Sequence, residues 1–120
     1  MYFRDIEFWP STIYVLDTKA CNIRVFNENG KFLRVFGKKT GPGELVSGRY
    51  IQITPQKEIM IHDLYARKLV FFSLEGKYLQ QVSLAKFMII FLPKLDSKGN
   101  IVGECYWKRK GRDKISLKEN

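Results

Sequence analysis

Few side chains in this 120-residue chain are of a kind that does chemistry, and their spacing decides what they can do. Asp17 and Asp63 stand 46 residues apart; two carboxylates can hold a metal or divide acid and base roles between them. Catalytic carboxylates need distinct environments, whereas these two close equivalent strands ahead of turn residues. A repeated aspartate in that place is expected to cap its turn by accepting backbone N–H bonds. His62 is the single histidine, with Leu16 as its counterpart 46 residues earlier. One imidazole makes neither a multi-histidine metal site nor a complete triad. Cys21 and Cys105 have no Cys-x-x-Cys partner and no histidine nearby, so free thiols are expected rather than a zinc site or a disulfide. Gly37-Lys38-Lys39-Thr40 resembles a phosphate loop only superficially. Lys39 stands where Ser or Thr should follow the lysine, Phe32 replaces the upstream glycine, and no helix pattern follows. The expectation is no catalytic residue, no metal and no cofactor.

Charge is the stronger signal. Lys and Arg number 21 against 12 Asp and Glu, a formal net charge of +9. Such a balance favours anionic partners, whether nucleic acid, acidic glycan or a membrane surface. Arg4, Asp5 and Glu7 interrupt any apolar stretch near Met1, so no secretory signal is read there. The longest apolar run, Phe87 to Pro93, is too short to span a bilayer, so no transmembrane segment is expected.

The elements that must position these residues follow from a gapless internal repeat. Gly30 and Gly76 share the spacing of Asp17 and Asp63, and Tyr14, Val15, Ile23 and Val25 pair with Met60, Ile61, Leu69 and Phe71. A period of this length marks stacked supersecondary units, none able to bury its apolar face alone. Within the first unit, Ile6–Phe8, Thr12–Leu16, Ile23–Phe26 and Phe32–Phe36 read as strands, being β-branched or aromatic and bounded by turn residues. The second repeats them at Ile51–Ile53, Ile59–His62, Leu69–Phe72 and Tyr78–Val82. A third begins at Phe87–Leu92, where Pro93 must break the ladder or sit at a bulge, and continues at Ile101–Trp107 and Ile115–Leu117. Short connections suit antiparallel meanders, and no helical periodicity is found. The fold class is all-β, with blades at 1–37, 49–83 and, incomplete, 87–118.

Ile13-Tyr14-Val15-Leu16-Asp17, Ile23-Arg24-Val25-Phe26, Asn29-Gly30-Lys31-Phe32-Leu33 and Val35-Phe36-Gly37 together resemble the NHL-type β-propeller repeat. Gly41-Pro42-Gly43-Glu44 is similar to the Gly-Pro-Gly-Glu loop of bacterial six-bladed propellers. The resemblance implies four-stranded antiparallel blades in an open, incomplete propeller, a fragment of about two and a half blades. It also suggests a bacterial periplasmic or extracellular setting. Asp17, Gly30, Gly41, Pro42, Gly43, Asp63 and Gly76 are then structural turn residues, with Glu44 tethering the crossover.

On a propeller plan, the turns between second and third strands and the blade-to-blade crossovers emerge at one end. Lys19, Lys38, Lys39, Arg67, Lys68 and Lys86 fall there, joined by Lys108, Arg109, Lys110, Arg112 and Lys114 of a long third-unit hairpin. At the other end Lys31, Lys57, Lys77 and Lys98 are balanced by Glu28, Glu58, Glu75 and Asp96. This predicts a non-catalytic interaction module with an anion- or protein-binding face, and open edges available to further blades or to self-association. The rivals are a lactonase- or lyase-like propeller enzyme whose catalytic residues lie in other blades, and a nucleic-acid-binding NHL propeller with Tyr65 as its base-stacking residue.

Overall fold

The computed structural model describes the backbone of residues 3–38, 41, 43–85, 90–107 and 111–118, and the side chains of 10–38, 41, 43–85 and 95–101. These residues form eleven strands and no helix. Sheet 1 holds β1 (Phe3–Trp9), β2 (Thr12–Asp17), β3 (Asn22–Asn27) and β4 (Phe32–Phe36). Sheet 2 holds β5 (Gly48–Ile53), β6 (Glu58–Asp63), β7 (Lys68–Ser73) and β8 (Tyr78–Ser83). The third sheet has β9 (Ile90–Leu95), β10 (Asn100–Trp107) and β11 (Gly111–Lys118). Each sheet is an antiparallel meander in chain order.

The repeat is written into the backbone as well as the side chains. Left-handed φ recurs 46 residues apart at Ser11 (61°) and Lys57 (63°), at Cys21 (56°) and Arg67 (54°), and at Gly30 (84°) and Gly76 (101°). Glycine takes that region without penalty, so the β3–β4 and β7–β8 turns use it; the other turns hold a side-chain-bearing residue there at some cost. At Gly76 there is a second reason, because a Cβ would come 2.7 Å from the Phe36 ring of sheet 1.

Sheet 2 is the centre of the stack. Alternate side chains of a strand point to opposite faces. Ile59, Ile61, Val70 and Phe72 therefore join Tyr14, Leu16, Ile23 and Val25 in one core, while Met60, Leu69 and Phe71 join Leu84, Leu95 and Ile101 in another. Across the first interface the Tyr14 hydroxyl and Arg34 Nη2 both donate to the Leu74 carbonyl, at 3.0 and 2.8 Å. Burial pushes the Tyr14 phenol above its ordinary pKa, with Arg34 opposing.

One expectation changes and another holds. The third unit's hairpin holds more strand than expected: β11 starts at Gly111 and not at Ile115, with Arg112, Asp113 and Lys114 opposite Tyr106, Cys105 and Glu104. Tyr106 and Trp107 are strong strand formers that prolong β10, and charged residues suit β11 because it is an edge strand. The β9 strand runs to Leu95 and includes Pro93; the β9–β10 register shifts between Val102 and Glu104, so the proline sits at an irregularity as its missing N–H requires.

Candidate functional site at the loop end of the sheets

The site is organised by Asp63, the last residue of β6, which is fully buried. Its Oδ2 accepts the Val46 amide at 2.8 Å, and its Oδ1 accepts the Ser47 amide at 2.8 Å and the Ser47 hydroxyl at 3.2 Å. The carboxylate thus ties sheet 2 to the crossover arriving from sheet 1. The Leu64 amide donates to the Ser47 carbonyl, Leu84 to Arg67, and Cys21 Sγ donates to the Val46 carbonyl at 3.3 Å. The β2–β3 turn, the β6–β7 turn and both blade-to-blade connections therefore meet at one end. Asp17, in the equivalent place, caps its own turn. Its Oδ1 accepts the amides of Lys19 and Ala20 in its own turn, and its Oδ2 faces Arg24 Nε at 3.5 Å.

The crossover owes its course to glycine: Gly37, Gly41 and Gly43 have φ of 94°, 85° and 77°. Leu45 N bonds Lys38 O at 2.8 Å, Glu44 N bonds Gly41 O, and Lys38 bridges Glu44. Glu44 tethers the loop through these backbone groups. Beside it lies a cleft of about 400 Å³ lined by Phe36, Lys38, Phe72 and Tyr78.

Of the basic residues expected at this end, Lys19, Lys38 and Arg67 are exposed. Lys68 is not presented with them. It begins β7, is only 9% exposed, and its Nζ approaches Gln81 Oε1 at 3.4 Å. Its long stem follows the sheet and leaves only the head group for a polar partner. Lys39, Pro42, Lys86, Lys108, Arg109 and Lys110 lie outside the described residues, as does the side chain of Arg112.

Two residues at this end escape the charge census. Tyr65, 72% exposed, is held by its amide, which donates to Ser47 Oγ at 2.8 Å. The Arg49 guanidinium lies over its ring, Cζ 5.6 Å from the centroid. Arg49 occupies a bulge, since Gly48 pairs with Asp63 and Tyr50 with His62. The spacing signal for it exists: Arg4 holds the same register position in β1, between Phe3 opposite Asp17 and Asp5 opposite Leu16. The inner strands repeat at 45 residues, not 46, because the β5–β6 hairpin is one residue longer, and a search at 46 misses the pair.

His62 packs within the sheet. It is buried, stacked on Tyr50 with ring centroids 5.8 Å apart, and its Nδ1 has no partner among the described residues. Burial pushes its pKa down to about 4, outweighing the Asp63 carboxylate, which raises it. Among the described residues no three His, Cys, Asp or Glu gather as metal ligands. Cys21 is a buried free thiol, and no described helix is long and apolar enough to cross a membrane.

Four-stranded antiparallel meanders stacked face to face, with inner strands β1 and β5 side by side, are the blades of a β-propeller. The six-bladed β-propeller family model matches residues 2–102, and the chain belongs to that family. Solved structures agree on the fold. A candidate exported protein of Bacteroides fragilis superposes with a TM-score of 0.75 at 21% identity, over 92% of this chain and 33% of its own. Virginiamycin B lyase from Staphylococcus aureus gives 0.66 at 13%, over 98% and 42%. A Bacteroides caccae protein of unknown function gives 0.58 at 12%, over 94% and 45%. The chain thus spans between a third and a half of the length of these neighbours. No curated protein matches it in sequence.

Proposed function

We propose that the chain is a non-catalytic binding module of NHL-like design whose basic loop end engages an anionic partner. The observation that carries this reading is the unequal fate of charge at that end. Lys19, Lys38 and Arg67 are exposed, while Asp17 and Asp63 are withdrawn beneath the surface and committed to backbone amides. At the hairpin end the exposed Lys31, Lys57, Lys77 and Lys98 stand among the exposed Glu28 and Glu75 and the half-buried Glu58 and Asp96. With the half-buried Glu44 as the remaining described acid of the loop end, the exposed charge there is mainly positive, and such a field steers an anion to that end. The lyase neighbour raises a catalytic alternative, but no convergent group of described acids, histidines or cysteines supports it.

The test is the salt dependence of polyanion binding, with duplex DNA as the probe. Each neutralised phosphate contributes about 0.9 to the slope of log affinity against log salt. Replacing Lys19 and Arg67 together by Ser is expected to flatten the slope by about two contacts. Replacing Lys31 and Lys77 should leave it unchanged. Equal flattening by both pairs would show that net charge alone drives binding, and the reading would fall.

A further inference from the structure

We propose that Arg49, seated on Tyr65 at the bulge of β5, anchors a single oxyanion, a carboxylate or a phosphate, at the inner edge of the loop end. The proposal rests on the anion-binding reading above and adds to it the group that specifies the ligand rather than merely attracting it.

Four observations converge. First, a bulge leaves one residue outside the ladder and re-aims its side chain, which is why bulges recur beside binding sites. Arg49 is that residue in β5, and Arg4 holds the corresponding position in the neighbouring β1. Second, among the described residues the Arg49 guanidinium meets an aromatic ring and no carboxylate. The acid nearest in register, Asp63 opposite Gly48, is buried and committed to Val46 and Ser47. Third, the backbone beneath the ring is held in place before any ligand arrives. Asp63 holds Ser47, Ser47 Oγ accepts the Tyr65 amide, and Tyr65 carries the guanidinium. A charge held in place loses less entropy on binding than one on a free side chain. Fourth, a guanidinium held over a ring spends no N–H on an oxygen acceptor there, so its N–H groups remain for a planar oxyanion, taken in a two-bond fork that an ammonium cannot reproduce. Tyr65, being 72% exposed, leaves ring surface over which the body of the ligand can lie.

The exposed lysines and Arg67 then supply attraction, and Arg49 supplies geometry. That separation makes the proposal testable apart from the reading it rests on. Titration calorimetry of the 120-residue chain would use two probes, hexagalacturonate for carboxylates and linear polyphosphate for phosphates. Arg49→Lys keeps the charge and removes the fork, so binding of the probe carrying the recognised oxyanion should weaken about tenfold with the salt slope unchanged. Tyr65→Phe should bind like the unaltered chain, and Tyr65→Ala should weaken like Arg49→Lys. The probe that suffers the loss identifies the oxyanion. Arg49→Lys binding both probes within twofold of the unaltered chain would overturn the anchor while leaving the basic-end reading intact. Binding of neither probe by the unaltered chain would overturn both. A readout without substitution guards against misfolding: the Arg49 Nε–Hε resonance should shift on saturation with the bound probe. A resonance that stays put while binding proceeds would overturn the proposal.

Discussion

Strands β3 and β7 are the same strand of successive repeats, yet β7 is buried at every residue from Lys68 to Phe72 while β3 is buried only at Ile23 and Val25. Their faces explain it. Ile23 and Val25 look towards sheet 2, as Leu69 and Phe71 look towards the third sheet. The other face of β7 packs Val70 and Phe72 against sheet 1; the corresponding face of β3 carries Arg24 and Phe26, both half-buried. In a stacked repeat, burial belongs to the interface and not to the repeat. The same lesson holds at the loop end, where Asp17 closes its own turn and Asp63 captures another sheet's crossover.

Emptying equivalent faces of β7 and β3 separates the two strands most strongly. Phe71→Ala removes a fully buried ring between sheet 2 and the third sheet and should cost about 4 kcal/mol, read from the urea unfolding midpoint. Phe26→Ala, which loses mainly an edge contact with Phe32 at 5.9 Å, should cost about 1 kcal/mol. Equal costs would mean the two sheets are buried alike.

His62 and Leu16 offer a second contrast, in pH. The His62 pKa of about 4 lies below the ordinary 6.5 that the unfolded chain regains. The unfolded state therefore binds the extra proton between those values, and stability falls as pH drops through that window. Full above pH 6.5, it should be lower by about 3 kcal/mol near pH 4 from this group alone. His62→Leu, which copies the first repeat, should remove that part of the slope in unfolding curves taken at stepped pH. An unchanged slope would show that His62 does not regain a proton on unfolding in that window, since Asp96, whose pKa the Asn100 amide lowers, costs stability only below its ordinary 3.8.

A smaller effect separates the two glycine turns. Gly30→Ala introduces only left-handed strain, about 1 kcal/mol, because nothing lies within 4 Å of its Cβ. Gly76→Ala adds the collision with Phe36 and should cost about 2 kcal/mol or more. Thermal midpoints that fall equally would deny the close approach of sheet 1 to the β7–β8 turn.

The strands were legible because local signals agreed at each step: Ile-Tyr-Val-Leu-Asp against Ile-Met-Ile-His-Asp, and Asn-Gly against Glu-Gly in the turns. What stayed hidden depends on contacts between distant segments. Nothing near Asp63 in sequence announces that its partners are Val46 and Ser47. Lys68 looked like a loop cation because a charged residue at a strand's first position carries no burial signal of its own. Arg49 was masked by one extra residue in the β5–β6 hairpin, which shifts the inner strands out of the main period. Fold followed from repetition, and the site from the places where repetition fails.

The measurement that goes furthest is a hydrogen-exchange footprint of the 120-residue chain with and without a bound polyanion. Added protection should gather at residues 18–21, 45–49 and 64–67, where the two turns and the crossover meet. Residues 28–31, 55–57 and 75–77 at the hairpin end should exchange as before. Protection centred on that second set, or spread evenly over both ends, would contradict the claim that one end of the stacked sheets is the binding end.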